Sequence, residues 1–73
     1  MRMRRYQVVT YCDECGTDEK MDFETLSEAF MDAIKYQGKE EAAAVYDYET
    51  NTAYAVFGRV DRNMFSSSVK IVY

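Results

Sequence analysis

The stretch from Thr25 to Gly38, TLSEAFMDAIKYQG, most constrains the fold, because no other part of the chain carries a full set of helix signals. Thr25 and Glu28 have the spacing of a capping box. In that motif the threonine oxygen accepts a hydrogen bond from the third helical N–H, and the glutamate reaches back to the N–H of the cap. Gly38 can supply the left-handed conformation that commonly ends a helix. We therefore predict one helix from Thr25 to Gly38.

The predicted helix has one apolar and one charged side. Its apolar residues recur at three- and four-residue steps and form a single stripe, which consists of Leu26, Ala29, Phe30, Ala33 and Ile34. Glu28, Asp32 and Lys35 fall on the opposite side, and Met31 lies among them. The stripe is expected to pack on a sheet and the charged side to face solvent.

The segments before and after the helix predict β-strands. Aromatic and β-branched residues favour a first strand from Arg5 to Cys12, and polar–apolar alternation favours a returning strand from Asp18 to Phe23. After the helix, Ala43 to Tyr48 and Ala53 to Val60 predict a hairpin. Its turn contains Asn51, a residue that tolerates a left-handed position.

The C-terminal tail predicts a short edge strand. Val69, Ile71 and Tyr73 alternate there with Lys70, a charge of the kind that discourages further strand pairing. The order of elements is therefore ββαββ, with a fifth strand possible at the C terminus. The predicted fold class is α+β, with a single antiparallel sheet, one helix packed across one face, and a single small domain covering residues 1–73.

One helix covers only one face of such a sheet, so the other face is expected to be open and rich in tyrosine. The tyrosines concerned are Tyr6, Tyr11, Tyr46, Tyr48, Tyr54 and Tyr73. They fit an amphipathic covering of the sheet, a homodimer or partner interface, or a surface for stacking RNA bases. The formal net charge of −4 disfavours the RNA interpretation. We expect no nucleic-acid partner, and a homodimer through this face remains an alternative.

Acidic residues are concentrated in one part of the chain. Residues 13–32 carry eight acids against Lys20 alone, a local sum of −7. A surface of this kind repels nucleic acid and attracts basic protein surfaces. We expect another protein with a basic surface as the partner. The predicted partner-binding residues are Asp13, Glu14, Asp18, Glu19, Asp22, Glu28, Met31 and Asp32.

Cys12-Asp13-Glu14-Cys15-Gly16 is the one recognisable motif. A C-x-x-C-G sequence at a hairpin tip resembles the knuckle of rubredoxins and zinc ribbons. The resemblance covers only these residues, and structural zinc takes four ligands. The chain has no other Cys and no His. A complete site would need carboxylates such as Asp13 or Asp18, or Cys12 and Cys15 from each of two chains. The alternative is that Cys12 is a small buried apolar residue and Cys15 a turn residue.

Other catalytic motifs are missing from the sequence. The chain lacks His, and its three glycines are isolated, so no phosphate-binding loop is indicated. Acidic neighbours of the two cysteines disfavour the thiolate that redox chemistry requires. So small a domain can hardly enclose a substrate cavity and keep a core. We expect that the chain is not an enzyme and has no cofactor, zinc being the alternative.

The sequence carries no membrane signal. No apolar run approaches the roughly 18 residues of a membrane span. The start, MRMRRY, is basic, and Gln7 and Thr10 interrupt the residues where a signal peptide would have its apolar core. A cytoplasmic location and no membrane partner are therefore expected.

Two functions remain after these exclusions. The first is a small non-enzymatic interaction domain that acts through its acidic hairpin–helix surface as a regulator or inhibitor, of a type common in phages and mobile elements. That type is an analogy and not a motif match. The second is a zinc-knuckle-like accessory domain that binds metal through Cys12 and Cys15, across a homodimer.

Overall fold

A computed structural model describes residues 4–65 and 68–73 of the chain. The first three residues of the basic start and the Ser66–Ser67 pair lie outside the described residues. The described elements are the strands β1 Tyr6–Cys12, β2 Gly16–Phe23, β3 Ala42–Asp47, β4 Thr52–Phe57 and β5 Lys70–Val72, the helix α1 Leu26–Ile34, and a 3-10 turn Arg62–Met64. The strands form one sheet in the order β2-β1-β3-β4-β5, and α1 packs on one face of it. The predicted α+β fold with a fifth strand is confirmed.

The fifth strand runs in a direction that differs from the prediction. The β1–β2, β1–β3 and β3–β4 pairs are antiparallel, but β5 is parallel to β4, with Ile71 opposite Ala53. The sheet is therefore mixed and not purely antiparallel. Parallel neighbours need a long crossover connection, and the chain from the end of β4 at Phe57 to the start of β5 at Lys70 is long enough for one. Apolar–polar alternation in the tail predicts a strand and contains no information about its direction.

The helix begins where the sequence predicts. Thr25 has the extended backbone of an N-cap, and its Oγ1 accepts a hydrogen bond from the N–H of Glu28 at 3.2 Å. The reciprocal bond differs from the predicted one, because the threonine hydroxyl donates to the Glu28 carboxylate at 2.8 Å. This bond joins two side chains and does not reach the N–H of the cap.

The helix ends earlier than predicted. α1 stops at Ile34, and the N–H groups of the next three residues donate to carbonyls three positions back. Gly38 then takes a φ of 90°, the left-handed conformation expected of it. Because Ile34 is the last helical residue, its side chain lies beyond the sheet contact and is 51% exposed. The prediction that Ile34 belongs to the buried stripe is wrong.

Small residues bring the helix close to the sheet. Ala29 and Ala33 of α1 are fully buried against Val8, Ala43 and Val45 of the two central strands. Half-buried apolar side chains surround this cluster, namely Tyr6, Phe23, Leu26, Phe30, Tyr36, Val56 and Phe57. The helix therefore covers the face that carries Val8 and Val45.

The second face of the sheet is partly covered, although the sequence predicts an open face. After β4 ends at Phe57, residues 58–65, the crossing segment, pass over this face. Val60 and Met64 of the crossing segment are buried with Val9, Ala42 and Ala44. The sequence predicts Val60 as the end of β4, and it instead belongs to this second cluster.

The tyrosines do not lie on one face. Tyr6 packs with the helix-side cluster, whereas Tyr11 and Tyr46 pack with the second cluster. The Tyr46 ring meets the Tyr48 ring edge-on, with centroids 5.3 Å apart, and stacks on Phe65 at 5.8 Å. Part of the tyrosine surface is thus used for packing within the chain.

Candidate functional site: the acidic edge and the α1–β2 groove

The acidic residues of β2 lie on an edge of the sheet, because β2 pairs with β1 alone. The antiparallel register places Asp18 opposite Thr10, Glu19 opposite Val9 and Asp22 opposite Gln7. Val9 belongs to the second-face cluster, and neighbouring strand residues point to opposite faces. Glu19 therefore projects to the second face and Asp18 to the helix side.

A β-bulge interrupts the edge strand. Lys20 and Met21 together lie opposite Val8, since the register shifts between Gln7 and Val9. The Lys20 ammonium donates a hydrogen bond to the Asp18 carboxylate at 2.6 Å. This bond raises the pKa of Lys20, although burial acts in the opposite direction. The single base of the acidic segment is thus already paired with Asp18. Met21 is 59% exposed.

Asp22 is held at the other end of the strand. Its carboxylate accepts a hydrogen bond from the Tyr48 hydroxyl at 3.3 Å, and its carbonyl accepts one from Arg4 at 3.3 Å. Burial, together with the nearby Asp22 carboxylate, raises the pKa of Tyr48 to about 12. Asp22 is therefore tied to the β3–β4 hairpin and does not lie beside the helix acids.

A groove lies between the end of β2 and the exposed side of α1. We call it the α1–β2 groove. It has a volume of about 360 Å³ and is lined by Phe23, Ser27, Glu28, Met31, Asp32 and Lys35. Met31 is 69% exposed at this groove. Glu28, Met31 and Asp32 lie together in the structure, as their helical spacing predicts. Phe23 adds an aromatic surface that the sequence pattern does not indicate.

Asp32 differs from the expected solvated acid. Its side chain is only 14% exposed, and its Oδ1 lies 3.5 Å from the Lys35 ammonium. Its Oδ2 is buried and has no hydrogen-bond partner. A buried carboxylate oxygen without a partner is costly, because it has lost water without gaining a donor. One oxygen of Asp32 is therefore covered by the chain without a donor, and only a small part of this side chain faces the groove.

The predicted partner-binding residues fall into three groups and not into one continuous patch. The hairpin tip carries Asp13 and Glu14, the second face carries Glu19 and Asp22, and the groove carries Glu28, Met31 and Asp32. Asp18 lies between them, paired with Lys20. In the groove group, the charges lie beside the exposed side chain of Met31.

The two cysteines lie at the β1–β2 turn, where Gly16 has a φ of 75°. Both thiols are free, Cys12 half-buried and Cys15 exposed. The neighbouring Cys12 sulfur has the largest effect on Cys15 and raises its pKa, and burial raises it further. The Cys15 thiolate is therefore disfavoured. Within residues 4–65 and 68–73 no three His, Cys, Asp or Glu side chains are grouped to hold a metal ion. Zinc bound by Cys12 and Cys15 thus stays a prediction that needs ligands from a second chain.

A cleft beside the turn brings together residues that the sequence does not connect. It has a volume of about 310 Å³, and its lining includes Tyr11, Asp13, Glu41, Arg59 and Asp61. The Tyr11 hydroxyl donates to the Asp13 carboxylate at 3.1 Å, and this bond raises the pKa of Tyr11. The Asp13 N–H donates to the Glu41 carboxylate. These residues come from distant segments, so no local spacing could have predicted the cleft, and Asp13 is partly engaged within the chain.

Comparisons with protein-family models, with curated proteins and with solved structures found no significant match to this chain. In the part of the chain that the structure describes, no helix has the length and apolar character needed to cross a membrane.

Proposed function

We propose that this chain is a small non-enzymatic interaction domain whose acidic hairpin–helix surface binds a basic surface of another protein. One observation carries the proposal: in the α1–β2 groove, the exposed Met31 side chain lies among the side chains of Glu28 and Asp32. Solvated acidic faces normally keep their carboxylates in water. A groove that combines exposed Met31 with the charges of Glu28 and Asp32 offers a partner both apolar contact and charge.

The charge distribution supports a basic partner. The sum of −7 over residues 13–32 is spread over the hairpin tip, the edge strand, the helix and the connection between β2 and α1, and its one base is already paired. Clustered charge of one sign accelerates association with an opposite surface and excludes like-charged partners. The natural target is a nucleic-acid-binding surface, which this domain would block by competing with phosphates. Such a regulator or inhibitor belongs to the type found in phages and mobile elements.

A purely structural role for the β2 acids is the competing explanation. Charges and a bulge on an edge strand prevent pairing with other chains, and Asp18, Glu19 and the Lys20–Met21 bulge suit that purpose. Edge protection does not account for the groove, because Glu28, Met31 and Asp32 lie on the helix and not on the strand. The experiment therefore targets the helix residues.

The test is affinity capture with the purified chain as bait and quantitative identification of the captured proteins. We expect basic proteins to be captured and to be released by added DNA, since the phosphates and the acidic surface compete for the same sites. The double variant Glu28→Gln and Asp32→Asn should lose them, because it removes two negative charges and keeps the side-chain shapes.

A matched control adds the same net charge elsewhere. Asn63→Lys changes an exposed residue of the crossing segment and Val72→Lys an exposed residue of β5, and neither residue lines the α1–β2 groove. This control should retain most of the captured proteins. Equal loss in both double variants, or full capture by the Glu28→Gln and Asp32→Asn variant, would show that the groove is not the contact.

A further inference from the structure

We propose that Cys12 and Cys15 form a reversible oxidation site, at which a small-molecule disulfide converts the two thiols into an intrachain disulfide. The site is independent of the proposed interaction surface on the helix. The sheet register pairs Cys12, the last residue of β1, with Gly16, the first residue of β2, so Cys15 lies in the turn between them. Both thiols are free, with Cys12 half-buried and Cys15 exposed.

The turn brings the two cysteines within bonding range of each other. Cys12 and Cys15 stand at its first and fourth positions, and the Cα atoms of such residues lie within about 7 Å. A disulfide requires about 4.4–6.8 Å between the same two atoms. The side chains agree with this spacing, because the Cys12 thiol lies within hydrogen-bond range of the Cys15 sulfur. A bridge between them therefore needs no rearrangement of the sheet.

The surroundings leave room for the bridge and hold the turn in place. Gly16, opposite Cys12, has no side chain, and a Cβ there would meet no atom within 4 Å. Asp13 is fixed from two sides. Its carboxylate accepts a hydrogen bond from the Tyr11 hydroxyl at 3.1 Å, and its N–H donates to the Glu41 carboxylate. A turn that is already fixed loses less conformational freedom when the bridge closes.

The oxidation consists of two exchange steps. The exposed Cys15 sulfur, as a thiolate, attacks one sulfur of the small disulfide. That S–S bond breaks, a small thiolate leaves, and a mixed disulfide remains on Cys15. The Cys12 sulfur then attacks the Cys15 sulfur, which forms the intrachain bond and releases the second small thiolate. The two thiol protons end on the two released thiols, so the cysteine pair is oxidised and the small disulfide is reduced.

The oxidised pair differs from both a redox enzyme and a zinc site. The disfavoured Cys15 thiolate slows the first exchange step and does not prevent it. An excess of reduced small thiol reverses both steps, so the bridge is a reversible modification. The bridged sulfurs offer no thiolate to a metal ion, and zinc binding and oxidation therefore exclude each other at this turn.

The test incubates the full chain with mixtures of reduced and oxidised glutathione, in the presence of a chelator, and measures its intact mass after acid quenching. We expect the main product to be a monomer lighter by about 2 Da, the mass of the two hydrogen atoms lost. The same titration in urea gives the closure equilibrium of the unfolded chain. Closure should be at least roughly tenfold more favourable in the folded chain, because the fold already holds the turn.

Two variants assign the roles of the cysteines. Cys12→Ser should stop at the mixed disulfide on Cys15, whereas Cys15→Ser should gain little adduct because the Cys12 sulfur is half-buried. An unmodified chain that keeps the mixed disulfide, or that links to a second chain through Cys15, would overturn the proposal. Equal closure in the folded chain and in urea would also overturn it, since the fold would then contribute nothing to the site.

Discussion

Asp47 is an almost fully buried carboxylate, and a buried charge needs a partner of opposite charge. Its side chain is 2% exposed, and Arg5 donates to both of its oxygens, from Nε and from Nη2, at 2.9 Å each. The N–H of Glu49 donates to the same carboxylate at 2.9 Å, so Asp47 also fixes the start of the β3–β4 turn. The hydrogen bonds from Arg5 have the largest effect and lower the pKa of Asp47 to about 2. Burial raises this pKa, and the bond from the Glu49 N–H lowers it further.

This lowered pKa predicts a specific loss of stability in acid. A carboxyl with a pKa below its unfolded value stabilises the fold fully above about pH 4 and loses that contribution as the pH falls through about 2. Asp47→Asn should therefore cost roughly 2 kcal/mol near neutral pH. Urea denaturation of both proteins across this pH range measures the difference, which should shrink on acidification.

The control for Asp47 is Glu49→Gln. Glu49 lies 3.2 Å from Arg5, but its side chain is 71% exposed. An exposed ion pair contributes less than about 1 kcal/mol, so this variant should change the free energy of unfolding little and show a weak pH dependence. If the stability difference between the unmodified chain and the Asp47→Asn variant does not vary with pH, the role assigned to the ion pair is contradicted.

At the level of single residues, part of the groove could be predicted from the sequence. Helical periodicity places Glu28, Met31 and Asp32 on one side of α1, and the structure keeps them together. The periodicity does not report that Asp32 is nearly covered, because that depends on how the helix packs beside β2. It also cannot find Phe23, which belongs to another element.

At the level of elements, the sequence predicts features that depend on local backbone signals and misses those that depend on long-range packing. Thr25 caps the start of the helix as predicted, and Gly38 and Asn51 take the predicted left-handed conformation, although the helix ends before Gly38. Sequence patterns miss the crossing segment because Val60 and Met64 are buried by contact with the sheet and have no periodic neighbours. The parallel direction of β5 follows from that crossing and is equally invisible to local patterns.

A substitution at Gly58 tests how tightly the crossing segment is held against the start of β3. It has a φ of 73°, and a Cβ there would collide with the carbonyl oxygen of Glu41 and lie 2.7 Å from the Cα of Ala42. Gly58→Ala therefore combines left-handed strain with a backbone clash that no side-chain rotation relieves. We expect it to destabilise the fold by clearly more than the roughly 1–2 kcal/mol that a left-handed alanine costs by itself.

The matched control is Gly38→Ala. Gly38 also has a positive φ, at 90°, but a Cβ there would meet no atom within 4 Å. Its cost should stay within the range of the strain alone. Thermal or urea unfolding of both variants gives the comparison, and equal costs would mean that the crossing segment shifts freely to accommodate the added methyl group.

At the scale of the whole molecule, both faces of the sheet are used for packing, yet the core is made of small residues. The largest fully buried apolar side chains among the described residues are valines. A chain of this size buries only about 60% of its unfolded surface, so its own core supplies limited stability. A second copy or a metal ion would stabilise it further, which keeps the zinc alternative open to a direct test.

That alternative makes a stoichiometric prediction. Cys12 and Cys15 are the only cysteines of the chain, the chain has no His, and tetrahedral zinc takes four ligands. A four-cysteine site therefore joins two chains. Native mass spectrometry with added zinc should show a dimer that carries a single ion and separates into monomers with a chelator. Cys12→Ser with Cys15→Ser should remain monomeric, because serine hydroxyls bind zinc poorly. A wild-type chain that stays monomeric and metal-free at every zinc concentration would eliminate this function and leave the acidic groove as the working surface.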